Sequence, residues 1–203
     1  MDVNQDSLRE VANSLVARGK GILAADESGG TIKRRFDALG IDNTESNRRD
    51  YRELLFTSPG IQDSISGVIL FDETIRQESA GGVPLVKVLQ QQGIIPGIKV
   101  DKGTNALAGS PGELITDGLD GLRDRLTEYY QLGARFTKWR AVITIGDDIP
   151  PDYCIETNAH ALGRFAALSQ EAGLVPIIEP EVLKDGNHSI ERCFDVSVAT
   201  LRE

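Results

Sequence analysis

Five short runs rich in Ile, Val and Leu, at residues 21–26, 66–71, 96–101, 136–142 and 175–181, are each followed by a longer amphipathic segment. Runs this short suit strands buried on both faces, and parallel strands can be joined only through a long crossover, usually a helix. The alternation therefore predicts βαβ units around a parallel sheet. The runs recur about every 40 residues, the pace of a repeated strand-helix unit, so the leading architecture is α/β, an incomplete (β/α)8 TIM barrel. Residues 1–203 are expected to form a single domain holding the first five βα units. A doubly wound open sheet of five strands is the alternative. It would need no further residues, but no run leads into the GxGxxG that usually marks it.

The segments between the runs carry helix punctuation. Ser7-Leu8-Arg9-Glu10 reads as a capping box, in which Ser7 and Glu10 satisfy each other's backbone amides. Leu8, Val11, Ala12 and Leu15 then line one face before Gly19 stops the helix. Further helices are expected over 84–92 ending at Gly93, over 118–132 behind an Asp117 cap and ending at Gly133, and over 156–172 ending at Gly173. Residues 189–203 are helical in pattern to the last residue.

Charge and cysteine content remove several classes of function. Hydrophobic residues make up 40% and charged residues 26%, which excludes wholesale disorder. Twenty-two Lys and Arg face 31 Asp and Glu, a net charge of −9, opposite in sign to a nucleic-acid binder, so any anionic ligand needs a local basic cluster. Cys154 and Cys193 form neither a CxxC nor a disulfide framework, which fits a reducing, cytoplasmic compartment. Residues 1–10 are acidic and polar where a secretory signal would be basic and then apolar, and no run approaches a membrane span.

The informative feature is where the charges sit. Successive strand side chains point to opposite faces, so Lys99 with Asp101, Lys138 with Arg140, and Glu179 with Glu181 each share one face, and Ala24 with Asp26 does the same. Ile98, Val100, Trp139 and Ile178 point the other way, toward the helix layer. One charged strand end is ordinarily a solvated tip or an ion pair. Four of five strands ending in ionisable groups converge on the carboxyl edge of a parallel sheet, where α/β proteins bind ligands. Interleaved cations and anions suit acid-base chemistry on an anionic substrate.

Residues 27–35, Glu-Ser-Gly-Gly-Thr-Ile-Lys-Arg-Arg, offer hydroxyls, glycine amides and three consecutive basic residues. They read equally as a phosphate cradle or as a glycine-rich turn leading into an exposed helix face. Arg48 and Arg49 read as a helix surface. Gly19-Lys20-Gly21 lacks the spacing of a P-loop, and the isolated His160 and His188 make no metal site, so both are assigned to the surface.

These residues bring the chain close to a known family. The segments 19–28 (GKGILAADES), 67–71 (GVILF), 97–103 (GIKVDKG), 118–122 (GLDGL), 138–140 (KWR) and 176–181 (PIIEPE) run in family order, and the chain resembles class I fructose-bisphosphate aldolase. The resemblance implies a (β/α)8 barrel that reversibly cleaves fructose 1,6-bisphosphate to glycerone phosphate and glyceraldehyde 3-phosphate, with no metal and no cofactor. It implies sugar bisphosphate and triose phosphates as partners, no nucleic acid and no membrane, and a homo-oligomer in the intact family member. Carried over by motif, Asp26 handles protons around the substrate hydroxyls, Glu179 is the general acid/base of imine formation, and Lys138 polarises the intermediate. Ser28, Thr31 and Lys99 hold a phosphate, while Arg35, Arg48 and Arg140 contact substrate. The family commonly shows Thr where Gly29 stands, and Ser28 and Thr31 keep their oxygens.

One departure is larger. The family's Schiff-base lysine lies on a sixth strand, and Glu203 falls inside the fifth helix, ahead of that strand. Breaking a C–C bond beside a carbonyl leaves a carbanion, and a protonated imine supplies the electron sink. The chain is accordingly expected to be inactive by itself as an aldolase. Two further readings are a non-catalytic sugar-phosphate-binding half-barrel, and a smaller aldolase in which Lys138 or Lys99 forms the imine.

Overall fold

The computed structural model describes residues 5–203; the first four residues of the acidic N-terminal segment lie outside the described chain. Helix α1 (Gln5–Leu15) leads into strand β1 (Gly21–Ala25). Helices α2 (Gly29–Asp37), α3 (Glu45–Phe56) and the single turn α4 (Ile61–Ser64) carry the chain to β2 (Ile65–Leu70). The short α5 (Asp72–Ile75) and α6 (Leu85–Gln90) precede β3 (Ile95–Lys99). A small hairpin, β4 (Thr104–Ala106) and β5 (Leu114–Thr116), comes before α7 (Leu122–Leu132). Strand β6 (Phe136–Ile143), α8 (Asp152–Glu171), β7 (Val175–Val182) and α9 (Ile190–Arg202) follow.

The five long strands pair in parallel in the order β1-β2-β3-β6-β7. That order never reverses, as the order of a doubly wound sheet must. The sheet instead curls into a half-barrel. Its concavity shows at the amino ends of the strands, where Leu15 of α1 packs with Ile69 and Phe136, and Ile22 of β1 and Val175 of β7 join the same cluster. Gly97 makes room there, since a Cβ on it would overlap the Phe136 ring. On the convex face Val68, Leu70, Ile98, Val100 and Trp139 form one core with Leu85, Leu89, Leu122, Leu126 and Phe165 from the helices. The two-residue alternation thus sends apolar side chains outward to the helices and charged ones inward at the carboxyl ends.

Several expectations are corrected. Ser7 lies within helix α1 (Gln5–Leu15) and not at its cap. Helix α7 begins at Leu122 behind a left-handed Gly121; Asp117 instead ends the β4–β5 hairpin, its amide donating to Gly103 O and its carboxylate accepting from Asn105. Helix α8 starts four residues early, at Asp152 behind Pro151, and α6 is shorter than expected. Ile178, expected under the helix layer, is 49% exposed. Among the described residues β7 pairs only with β6, and α9 leaves this outer position uncovered. His160 lies exposed on α8, as expected. Among the described residues no helix is long and apolar enough to cross a membrane.

Candidate active site

A cavity of about 870 Å³ opens inside the half-barrel at the carboxyl ends of the strands. Register explains why the charges meet there. Lys99 stands beside Lys138, and Arg140 beside Glu179, on the concave face, while Asp26 follows the last residue of β1. Ladders this regular leave each side chain little choice of face.

Lys138 is the centre of the arrangement and is 9% exposed. Its Nζ lies 3.2 Å from Asp26 Oδ2 and 3.1 Å from Glu179 Oε2, linking β6 to carboxylates from both ends of the sheet. Burial works to lower its pKa, but the combined attraction of the two carboxylates wins and raises it. The amine is therefore a held ammonium, a fixed positive charge in a partly dry site.

The other charges are paired in the same manner. Lys99 forms a close ion pair with Asp101. Asp101 also accepts the backbone amides of Gly103, at 3.1 Å, and Arg140, at 3.2 Å, which ties the turn after β3 to β6. Arg140 pairs with Glu181; this contact holds the carboxyl below its usual range and raises the guanidinium.

Residues 27–35 form the entry and most of a helix whose first turn borders the cavity. Ser28 stands at the N-cap of α2, and most of the supposed loop is helix. Ser28 Oγ and Thr31 Oγ1 lie 3.2 Å apart at the cavity wall. Of the three basic residues only Arg35 reaches the cavity, where it pairs with Glu27. Lys33 turns outward to Asp37, at 2.6 Å. A helix N-terminus beside two hydroxyls and a cation can receive an anion.

The structure thus brings Asp26, Ser28, Thr31, Arg35, Lys99, Lys138 and Arg140 to one cavity. Glu179 reaches the same cluster from β7 through Lys138. Arg48 is not brought there. It lies on α3, where Nε and Nη2 donate to Glu73 at 2.8 and 2.6 Å, and it faces a separate cavity of about 170 Å³. Sequence reasoning missed Asp72, Arg76, Arg125 and Tyr129, which complete the wall. Tyr129 OH donates to Asp72 Oδ1 at 2.8 Å, and Arg125 donates to Val100 O at 2.9 Å. No strand-end pattern marks them, because they come from helices α5 and α7 and the turn after α5.

The geometry has close counterparts among known proteins. The family model described as fructose-bisphosphate aldolase class-I matches residues 7–203. The chain is 65% identical over 197 residues to a probable fructose-bisphosphate aldolase class 1 of Xanthomonas campestris, covering 97% of this chain and 59% of that one. It is 57% identical over 183 residues to fructose-bisphosphate aldolase 4, cytosolic, of Arabidopsis thaliana, covering 90% and 47%. A solved structure of fructose-bisphosphate aldolase from Plasmodium falciparum, in complex with TRAP and a small-molecule inhibitor, superposes with a TM-score of 0.95 at 50% identity, covering 97% and 57%. The chain therefore spans about half to three fifths of the length of the proteins it matches.

Proposed function

The chain belongs to the class-I fructose-bisphosphate aldolase family, and we propose that residues 1–203 are one domain carrying the first five βα units of a (β/α)8 aldolase barrel. The reaction is the reversible cleavage of fructose 1,6-bisphosphate to glycerone phosphate and glyceraldehyde 3-phosphate, a lyase step of glycolysis and gluconeogenesis. A homo-oligomer of the intact protein belongs to the same reading. So does a cytoplasmic location, in keeping with the printed names of the plant relatives.

The observation that carries this reading is Lys138 held between Asp26 and Glu179 at the mouth of the half-barrel. C–C cleavage beside a carbonyl requires a proton acceptor at the hydroxyl that becomes the new carbonyl, and positive charge near the electrons released. Asp26 supplies the acceptor, and Glu179 gives and takes protons as the imine forms and hydrolyses. Lys138 polarises the intermediate; its raised pKa suits it to act as a cation and not as an attacking amine. Ser28, Thr31 and Lys99 receive one phosphate, with Arg35 and Arg140 in the same wall and Arg48 behind it. In this reading these residues bind the substrate and manage its protons, and the imine-forming lysine that the family resemblance implies stands on a further strand.

Calorimetry with fructose 1,6-bisphosphate tests the reading. The unsubstituted chain should bind it, and Lys138→Met and Lys99→Met should each weaken binding about tenfold or more, the worth of one charge-assisted hydrogen bond. Borohydride reduction with glycerone phosphate should leave Lys138 and Lys99 unmodified by mass. No binding by the unsubstituted chain overturns the site, and an adduct on Lys138 overturns its role as a cation.

A further inference from the structure

We propose that Arg52 is a positioning residue that fixes the carboxylate of Asp26 by gripping the backbone on both sides of it. Arg52 lies on α3, is 2% exposed, and does not line the large cavity. Its Nε donates to Ala25 O at 2.8 Å and its Nη2 to Glu27 O at 3.2 Å. Those two carbonyls bracket Asp26.

The grip answers a local need. The β1–β2 ladder ends with Ala25 beside Leu70, so Asp26 stands one residue past the last sheet pairing, where a strand end is free to fray. A planar guanidinium presents donors in a fixed fork, which an ammonium cannot imitate. Burial pulls the Arg52 pKa down while Glu27, whose Oε2 lies 3.0 Å from Nη2, pulls it up. An apolar side chain would fill this space without that desolvation cost. What the guanidinium adds is geometry: Asp26 Oδ2 and Lys138 Nζ stand 3.2 Å apart, already longer than the usual charge-assisted hydrogen bond of about 2.7–2.9 Å, so a small drift of the backbone separates them. Lys138 is the reporter of that drift, because Asp26 from β1 and Glu179 from β7 are the two carboxylates that face it, with Lys99 beside it on β3 and Arg140 on its own strand.

The test compares Arg52→Lys and Arg52→Met with the unsubstituted 203-residue chain. Lys138 is titrated by competitive acetylation across a pH series with mass-spectrometric readout, and thermal melts and calorimetry with fructose 1,6-bisphosphate are run in parallel. Loss of the Asp26 contact should lower the Lys138 midpoint by about one pH unit in both variants. Affinity should fall about tenfold, the worth of one charge-assisted hydrogen bond lost at the displaced carboxylate. Arg52→Lys keeps the charge and loses the fork, so a midpoint unchanged in a folded Arg52→Lys protein, whatever its melting temperature, overturns the proposal. Glu27→Gln removes the ion pair and leaves both carbonyl bonds; it should leave the midpoint in place even if the Arg52 variants do not fold. A drop as large as that expected for Arg52→Lys would assign the effect to the ion pair and refute the fork. The affinity arm rests on the aldolase reading and the Lys138 arm does not, so absence of sugar binding by the unsubstituted chain would count against that reading alone.

Discussion

Lys138 Nζ lies 3.2 Å from Asp26 Oδ2 although their strands, β6 and β1, are separated in the sheet by β2 and β3. Only curvature brings them together. The contact therefore reports the half-barrel and the site at once, and its energetics give the first prediction. Lys138→Met leaves Asp26 and Glu179 facing each other without a cation. Removing one partner of a buried pair costs ~3–5 kcal/mol, and the lower end is expected because the Glu179 side chain is 36% exposed. The Lys138 pKa is raised in the folded chain, so its contribution is complete below the unfolded value of ~10.4 and is lost as pH climbs through the folded value. Urea melts at rising alkaline pH should show the gap between unsubstituted and Lys138→Met proteins closing; a gap that widens there contradicts the pairing.

Arg140 and Glu181 behave differently because both side chains are 40% exposed. Arg140 lowers the Glu181 pKa, so the pair stabilises the fold above the unfolded carboxyl value of ~4.3 and stops doing so as pH falls through the lower folded one. Solvent screening limits the gain to ~1 kcal/mol or less. Glu181→Gln should cost that little at pH 7, less in 1 M salt, and nothing at strongly acidic pH. A loss several times larger, indifferent to salt, would mean the pair is buried in solution.

How far the sequence reveals this protein depends on the period of the signal. The strands and the sharing of a face by Lys99 with Asp101 and by Lys138 with Arg140 follow from a two-residue alternation, which any parallel sheet must honour. The stops of α7 and α8 at Gly133 and just before Gly173 followed, but their starts did not; for α7, Asp117 and Gly121 are both acceptable starts and the competing β4–β5 hairpin decides between them. Helix α2 was obscured by its own first residues, Gly29 and Gly30, which weaken a helical pattern. Arg48 and Arg52 stand one turn apart on α3 and look alike in sequence; tertiary packing sends the first to Glu73 and the second to the end of β1.

Gly97 is a packing requirement of the concave face. Its neighbour Phe136 is fully buried, and a Cβ at position 97 would collide with the ring. Gly97→Ala should destabilise by ~1–3 kcal/mol through overpacking. Phe136→Ala alone should cost ~3–5 kcal/mol as a cavity forms. In the double variant the alanine at 97 finds space, so the two losses should sum to more than the measured total. Strictly additive melts would show that Gly97 and Phe136 do not share the volume the structure gives them.

The two cysteines should separate cleanly in a labelling experiment. Cys154 is fully buried on α8, and burial, with a contact to Glu113, pushes its thiol up to about 12. Thiolate is the reactive form, and a thiol so placed has neither charge nor access at pH 8. Cys193 on α9 is only partly covered. Iodoacetamide at pH 8 should therefore modify Cys193 in the folded chain and leave Cys154 untouched, while both react in denaturant. Peptide mass mapping at timed intervals gives the order directly, and early modification of Cys154 would mean that α8 does not seal against the β4–β5 hairpin as it does here.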